Sequence, residues 1–434
     1  MSDPVIGLLG FLATLGLIAF GVPVAIAMGV VGAVGFGILN GWDAVGFIMG
    51  GAPFEATFPY TLSVVPLFLM MGVFAAHAGL SGSLYQGVNA FVGHMRGGLA
   101  MASIGACAGF GAICGSSLAT AATMCRVALP EMRRHGYDDS LAAASIAAGG
   151  TLGVLIPPSI LLVIYALLTE QSIGALFAAA LIPGVVGTLL YMAAVWFQVR
   201  RNPTLGPAGK RHSWGERFTT LRAIWPVILL FVVVIGGIYL GFFSPTEAAA
   251  VGAFGALVLA WGRGALTRGV LRQCFQETAE ITGMIFLILI GSAVFNYFIE
   301  TAGLPQLLVG QVEALGLPPL AVMLLIMVFY IVLGCFMDAL SMILLTVPFV
   351  VPMVATLGFD LVWFGVIIVT VAELGLITPP VGMNLFVIQG VASDLRIQTI
   401  VKGVVPFLAA DIVRLAILIA FPAIVLWLPR LVGF

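Results

Sequence analysis

Apolar runs of membrane-crossing length recur along almost the whole chain, from Pro4 to Pro429. A crossing helix needs about 20 mostly apolar residues. Ten runs are predicted to cross, with the limits 4–21, 23–40, 61–78, 139–168, 174–200, 223–241, 245–262, 281–300, 361–391 and 403–428. Two further apolar stretches, 97–126 and 318–352, have small polar residues at their centres and are predicted to be re-entrant hairpins. The pattern predicts an all-α polytopic membrane protein.

Composition supports a membrane protein, because 62% of the 434 residues are hydrophobic and only 8% are charged. A soluble chain of this size could not cover itself with polar surface. The net charge of -1 leaves no basic field for nucleic acid. No basic residue precedes the first apolar run, so that run is predicted to be a membrane helix and not a cleaved signal. The five cysteines lie in apolar segments without metal-binding spacing and are predicted to be small buried hydrophobes.

The positive charges predict the orientation. With the N-terminus outside, 15 of the 17 Lys and Arg residues lie on the cytoplasmic side, as the positive-inside rule requires. The two exceptions are Arg414, within a span, and Arg430, outside. Both termini are therefore expected in the periplasm, and the polar segment 201–222 is expected to be a cytoplasmic linker.

Two segments outside the predicted spans have apolar residues at helical spacing. They run from Leu80 to Met95 and from Leu266 to Phe275. This spacing fits amphipathic helices at the membrane interface. Ordinary surface connectors fit equally well, so both interpretations stay open.

An internal repeat has an offset of 222 residues. Prolines are only 23 of the 434 residues, and four of them coincide at this offset. The matching positions are Pro23 and Pro245, Pro130 and Pro352, Asp138 and Asp360, Leu152 and Leu374, Gly153 and Gly375, Pro157 and Pro379, and Pro158 and Pro380. The offset predicts two structurally related halves.

The predicted organisation is a first repeat at 1–200, a linker at 201–222 and a second repeat at 223–434. Each half has five predicted crossings, one of them broken by proline, and one hairpin. Because five is odd, the second half must enter the membrane from the opposite side. Two inverted repeats are typical of secondary transporters, whose sites lie where discontinuous helices of the two halves meet.

The broken helices are predicted at Ile156-Pro157-Pro158 and Thr378-Pro379-Pro380. Proline removes a backbone donor and clashes with the preceding turn. Unpaired peptide groups are costly in hydrocarbon, so such a break survives where protein, water or an ion satisfies it. One break alone fits a simple kink, but two at the repeat offset favour a functional site.

The hairpin tips are predicted to form the other wall of that site. The first contains Ser116 and Ser117 among glycines, and the second places Asp338 at the position matching Ser116. Carbonyl, hydroxyl and carboxylate oxygens suit a hard cation such as Na⁺, and half-helix N-termini suit an anionic carboxylate. For isolated glycines and serines, close helix packing is the simpler interpretation.

Other charges fall within predicted spans or at their ends. Asp411 and Arg414 are three residues apart and are predicted to form a structural ion pair on one helix face. Glu247, in Ser244-Pro245-Thr246-Glu247, is predicted to mark a helix start. Glu373 could serve as a proton site or as a scaffold residue.

Four motifs in order carry a family resemblance over essentially the whole chain. They are the hairpin at 115–122, the break at 156–159, the helix start at 245–252 and the break at 378–385. Together they resemble the large membrane subunit of tripartite ATP-independent periplasmic (TRAP) transporters. The resemblance implies a bacterial inner-membrane importer of organic anions that is coupled to Na⁺ and works by an elevator movement.

The resemblance also implies partners, namely a small four-helix membrane subunit and a periplasmic binding protein. No four-helix extension is present at either end, so the small subunit is expected to be a separate chain. Na⁺ is the implied coupling ion, with no other cofactor. The implied Na⁺ sites use Ser116, Ser117 and backbone between Thr151 and Pro157, and Asp338, Ser341 and backbone between Thr378 and Gly382. The implied substrate residues are Thr120, Thr123, Thr378 and Asn384, with Arg126 as a weaker candidate.

Three other functions compete with this interpretation. A standalone carboxylate symporter of similar architecture would be driven by Na⁺ or H⁺ and would work without a binding protein. An intramembrane hydrolase would need a general base, and no histidine lies near a serine at mid-membrane depth. A scaffold without transport leaves the paired breaks unexplained. The chain is therefore predicted to be a transporter and not an enzyme.

Overall fold

The computed structural model describes residues 2–434 of the chain. Within that range the secondary structure is helical and comprises twenty α-helices. In chain order they are α1 Asp3–Ala19, α2 Val24–Asn40, α3 Trp42–Thr57, α4 Val64–His77, α5 Leu80–Val92, α6 Gly98–Cys114, α7 Ser117–Arg134, α8 Asp139–Leu155, α9 Ile160–Thr169, α10 Ile173–Arg201, α11 Trp214–Tyr239, α12 Pro245–Gly262, α13 Arg268–Thr301, α14 Leu304–Leu315, α15 Pro319–Gly334, α16 Ala339–Thr356, α17 Leu361–Ile377, α18 Met383–Val391, α19 Ile397–Ala420 and α20 Ala423–Val432.

The apolar helices agree with the predicted polytopic membrane protein. Seven helices are long and apolar enough to cross a membrane, and the bent pair α8 and α9 adds an eighth. Other predicted crossings, such as α1, α2 and α17, are helices of 17 residues, near the lower limit for a span. Helix α16, predicted as a hairpin limb, is among the seven long helices.

The helices repeat along the chain with the predicted offset. Helices α7 and α8 begin and end 222 residues before α16 and α17. The matched aspartates have the same local role, because Asp138 accepts a hydrogen bond from the Ser140 backbone N–H at 2.9 Å and Asp360 from that of Trp363 at 2.9 Å. Both carboxylates therefore cap the N-terminus of a long helix. The inverted direction of the second half remains a prediction.

Both proline breaks occur where they were predicted. Helix α8 ends at Leu155 and α9 begins at Ile160, with a bend of 40° between them. In the second half, α17 ends at Ile377 and α18 begins at Met383. Ser159 helps to restart the first broken helix, because its hydroxyl accepts a hydrogen bond from the Leu162 N–H at 3.3 Å.

Three helices differ in their limits from the predicted segments. Helix α11 starts at Trp214, inside the predicted linker, because Ser213 and Glu216 form a capping box. The segment around Leu266–Phe275 is not a separate interfacial helix, since from Arg268 it continues into the 34-residue α13. The predicted span 403–428 is two helices, with the break at Phe421 and Pro422, because proline is well tolerated where a new helix begins.

Helix packing brings each hairpin against the broken helix of its own half. Helices α6 and α7 both pack on α8, and α15 and α16 both contact α17. The approach uses glycines in both halves: a Cβ on Gly153 would lie 3.1 Å from the Gly111 Cα, and one on Gly375 would lie 2.6 Å from the Gly334 Cα. Such close backbone approach is typical of helix contacts in membranes. Each break is thereby held beside a hairpin turn.

Candidate functional site

The first hairpin turn lies against the first proline break. Gly115 adopts a positive φ of 62°, and a Cβ there would lie 2.9 Å from the Pro158 carbonyl oxygen. Ser116 then starts α7, with its hydroxyl accepting a hydrogen bond from the Ala119 N–H at 3.4 Å. Glycine suits both the left-handed backbone and this close contact. The turn and the Pro157-Pro158 break therefore form one wall of the candidate site.

Ser117 and Asn384 connect the first hairpin to the broken helix of the second half. The Asn384 side-chain amide donates hydrogen bonds to the Ser117 hydroxyl at 2.8 Å and to the Ala147 carbonyl at 3.1 Å. Both side chains are buried, with 3% and 0% exposure. A residue predicted for the cation site and one predicted for the substrate site thus lie in direct contact.

Thr120 is completely buried one turn further along α7. Its hydroxyl oxygen makes no hydrogen bond within residues 2–434. A Cβ placed on Gly153 would lie 2.9 Å from this oxygen and 3.4 Å from the Ser116 carbonyl oxygen. An unsatisfied buried hydroxyl is unfavourable. The neighbouring Ser116 carbonyl accepts one hydrogen bond, from the Thr120 N–H at 3.1 Å, and keeps a second lone pair. The two oxygens together suit a cation with oxygen ligands.

The second hairpin turn has a carboxylate in the corresponding place. Asp338 caps α16, accepting hydrogen bonds from the Ser341 N–H at 3.0 Å and from the Ser341 hydroxyl at 2.5 Å. The Thr378 hydroxyl donates to the Leu374 carbonyl at 2.6 Å, and Gly382 has a positive φ of 58°. No hydrogen bond within residues 2–434 joins Asp338 or Ser341 to Thr378 or Gly382. The hairpin residues Asp338 and Ser341 and the break residue Thr378 are therefore held by separate hydrogen bonds.

A cavity of about 650 Å³ lies on the other face of α7. Ser116, Thr123 and Arg126 line one side of it, and His77 and Glu277 line the opposite side. The Arg126 guanidinium is exposed and makes no hydrogen bond or ion pair with any residue in the range 2–434. An unpaired guanidinium beside two hydroxyls is a recognition pattern for a carboxylate.

The opposite side of the cavity was missed by sequence reasoning. The imidazole Nε2 of His77, at the end of α4, lies 3.3 Å from a carboxylate oxygen of Glu277 on α13. Gln273 donates a second hydrogen bond to that carboxylate at 2.8 Å. His77 and Glu277 are 200 positions apart in the chain, so no local motif marks their contact.

The C-terminal end of α7 also joins the two halves. The Nε atom of Arg133 lies 2.7 Å from a carboxylate oxygen of Asp139, and its Nη2 atom lies 2.7 Å from a carboxylate oxygen of Asp394. Its guanidinium holds the pKa of the Asp394 carboxyl below the usual value. Asp394 follows α18, so the ion pair fastens the second broken helix to the end of α7.

Asp411 and Arg414 form the predicted ion pair, at 2.8 Å, but the pair belongs to a larger buried network. Arg414 Nη2 also donates to Glu373 at 3.1 Å, and the Tyr191 hydroxyl donates to Asp411 at 2.6 Å. Glu373, which could serve as a proton site or as a scaffold residue, belongs to this network through its contact with Arg414. Glu247 forms a capping box with Ser244, which confirms it as a helix-start residue.

Comparison with known proteins places this arrangement in a family. The sequence of residues 11–424 matches the family model for the DctM component of tripartite ATP-independent periplasmic transporters. The chain belongs to this family. The family membership predicted from the four motifs is confirmed, and with it the conclusion that the protein is a TRAP transporter large permease and not an enzyme.

Individual TRAP permeases are similar to this chain over most of their length. The C4-dicarboxylate TRAP transporter large permease protein DctM of Pseudomonas aeruginosa is 37% identical, with 88% of each chain covered. The sialic acid TRAP transporter large permease protein SiaM of Vibrio cholerae is 34% identical, covering 96% of this chain and 97% of the relative.

Solved structures support the fold. The YdaH transporter of Alcanivorax borkumensis superposes with a TM-score of 0.62 at 15% identity, covering 89% of this chain and 90% of that one. At this identity the likeness concerns architecture alone. As a TRAP large permease with seven or more apolar spans, the chain is a multi-pass inner-membrane protein.

Proposed function

We propose that this TRAP large permease imports an organic anion, with Na⁺ as the coupling ion. The observation that carries the proposal is the cavity beside α7, where Arg126, Thr123 and Ser116 face one space next to the first hairpin turn. Arg126 supplies the positive charge that an anionic substrate requires, and the hydroxyls supply hydrogen bonds. The relatives named for C4-dicarboxylate and sialic acid support the same chemical class.

The proposed cation positions lie at the two hairpin turns, and the first of these turns borders the cavity. In the first half, the Thr120 hydroxyl and the carbonyls of Ser116 and Pro158 provide hard oxygen donors around the break. In the second half, Asp338 provides a carboxylate beside Ser341. Oxygen ligands of this kind suit Na⁺. Cation binding in the first half would order the turn that also borders the substrate cavity, and this shared border would couple the two solutes.

The proposed movement is an elevator-like displacement of the hairpins and broken helices along the scaffold. Two contacts support a single moving body, the Ser117–Asn384 hydrogen bond and the Arg133–Asp394 ion pair, because both join the first hairpin to the second half. The scaffold would comprise α4, α12 and α13, because α12 and α13 both pack on α4. Helices α4 and α13 also form the far wall of the cavity.

The proposed assembly includes a small four-helix membrane subunit and a periplasmic binding protein, as in TRAP transporters generally. The orientation has both termini in the periplasm and the segment around 202–213 in the cytoplasm. The binding protein would select the substrate and deliver it to the membrane subunits.

Reconstitution in proteoliposomes tests the proposal. The purified chain, the small subunit and the cognate binding protein are combined, and uptake of radiolabelled C4-dicarboxylate and sialic acid is measured with an inward Na⁺ gradient. Uptake should require all three proteins and should fall to background when K⁺ replaces Na⁺. Uptake by this chain alone would instead identify a standalone symporter, and equal uptake in K⁺ would exclude Na⁺ coupling.

A further inference from the structure

Thr151 and Glu373 occupy equivalent positions in the two halves, 222 residues apart. Each lies five residues before its helix break, at Ile156 and Thr378 respectively. Both side chains are fully buried. One side chain carries a hydroxyl and the other a carboxylate, and both belong to the same buried network of polar contacts.

The network consists of five side chains from four helices, and its members are Thr151, Tyr191, Glu373, Asp411 and Arg414. The Tyr191 hydroxyl lies 3.3 Å from the Thr151 hydroxyl and 2.6 Å from Asp411. Arg414 Nη2 lies 2.8 Å from Asp411 and 3.1 Å from Glu373. A continuous polar path therefore runs from α8 to α17.

This path is closely packed as well as polar. A Cβ placed on Gly187 of α10 would lie 2.5 Å from Arg414 Nη1. The Arg414 guanidinium also lies over the Tyr191 ring, 5.8 Å from its centroid. The two side chains are thus in close contact beside Gly187, which leaves no space for a Cβ at that position.

Stability alone does not explain the network. Replacing a buried ionic group by apolar residues of similar volume is often neutral or stabilising, so such groups are weak evidence for stability. The network instead ends at Thr151 on one side and at Glu373 on the other, and each of these residues lies five positions before a proline break. Discrete contacts of this kind can carry coupling between two sites.

We propose that the network couples the two candidate cation sites, so that cation binding in one half raises cation affinity in the other. This proposal rests on the proposed Na⁺ coupling. Ordering of the break after Thr151 fixes Tyr191, and Tyr191 in turn holds Asp411 and Arg414 in place for Glu373. Tyr191 is a positioning residue, since it lies between the sites and belongs to neither.

Tyr191→Phe tests the proposal because it removes the bridging hydroxyl and keeps the ring. Na⁺ dependence of uptake is measured in proteoliposomes at saturating substrate. Coupling free energies between sites typically correspond to affinity changes of about five-fold or more, so the half-maximal Na⁺ concentration should rise by about that factor. The Hill coefficient should fall towards one, and the rate at saturating Na⁺ should stay close to wild type.

Tyr239→Phe is the matched control. The Tyr239 hydroxyl is also buried, at the end of α11, but it has no hydrogen-bond partner within residues 2–434. This variant should leave both the half-maximal Na⁺ concentration and the Hill coefficient unchanged. The coupling proposal is overturned if Tyr191→Phe behaves like this control, or if it lowers only the saturating rate.

A second pair of variants keeps the test decisive if Tyr191→Phe does not fold. Thr151→Val removes the same hydrogen bond from its other end, whereas Thr151→Ser retains a hydroxyl. Loss of cooperativity in the valine variant with recovery in the serine variant supports the network, and equal behaviour of the two overturns it. Wild-type uptake without any Na⁺ dependence would refute the proposed function itself. Na⁺-dependent wild-type uptake with a Hill coefficient of one would refute the coupling alone.

Discussion

The side-chain amide of Asn384 donates a hydrogen bond to the hydroxyl of Ser117 at 2.8 Å. The contact spans 267 positions of the chain and joins α18 of the second half to the first turn of α7. The same amide donates to the Ala147 carbonyl on α8 at 3.1 Å. One buried side chain therefore ties the second broken helix to both the hairpin and the broken helix of the first half.

Asn384→Ala should lower the thermal stability of the purified permease and reduce uptake. The substitution leaves the buried Ser117 hydroxyl without this partner, which costs about 1–3 kcal/mol, and it also removes the hydrogen bond to the Ala147 carbonyl. Differential scanning fluorimetry in detergent checks the stability. A double-mutant cycle with Ser117→Ala should show destabilisation smaller than the sum of the single effects.

Gln198→Ala is the matched control for this prediction. It also removes a side-chain amide, but the Gln198 Nε2 atom has no hydrogen-bond partner within residues 2–434. Its melting temperature should stay near that of the wild type. Additive effects of the Asn384 and Ser117 substitutions would contradict an energetic link between the two halves at this point.

Arg126→Gln should raise the substrate concentration needed for half-maximal uptake. Hydrogen bonds to charged groups contribute about 1.5–3 kcal/mol, which corresponds to a rise of about ten-fold or more. The exposed Arg134 offers a comparison, because it lies on the same helix and pairs with Glu131 at 3.2 Å, outside the cavity. Uptake kinetics of Arg134→Gln should match the wild type, and an equal shift in both variants would remove Arg126 from the substrate site.

The proline breaks could be predicted from the sequence because proline acts locally. The missing N–H and the ring clash act on the preceding turn whatever the rest of the chain does. The capping box at Ser213 and Glu216 was equally local, and its Ser-x-x-Glu spacing was the available signal for the start of α11. The Asp411–Arg414 pair followed in the same way from helical spacing.

Tyr191 and the His77–Glu277 contact could not be found in this way. Tyr191 lies in an apolar stretch of helix α10, and its partner Asp411 is 220 positions away. Only the packing of α10 against α19 brings them together. Such contacts depend on the rotation of each helix about its axis, which a strongly apolar sequence with weak amphipathic pattern leaves undetermined.

Cysteine labelling at two positions should establish the orientation. All five native cysteines are buried, so they give a low background. Ala208→Cys, exposed in the segment between α10 and α11, should react with a membrane-impermeant maleimide only in inverted vesicles. Glu313→Cys, exposed on α14, should react in right-side-out spheroplasts. The reverse pattern would contradict the orientation inferred from the positive charges.

Asp338→Asn should raise the Na⁺ concentration needed for half-maximal uptake and leave stability close to wild type. The Asp338 carboxylate both caps α16 and provides the candidate charge at the second turn. Asparagine caps a helix about as well as aspartate does, so this variant removes the charge and retains the cap. Asp338→Ala removes both and should also lose about 0.5–2 kcal/mol of stability.

Asp360→Asn provides the control, because Asp360 caps the next helix, α17, in the same manner through the Trp363 N–H at 2.9 Å. It lies at the opposite end of α17 from the Thr378 break, so its charge should not affect Na⁺. Uptake is measured against Na⁺ concentration for all three variants at saturating substrate. An unchanged Na⁺ requirement in Asp338→Asn would leave the carboxylate with a capping role only, and an equal shift in Asp360→Asn would attribute the effect to general electrostatics.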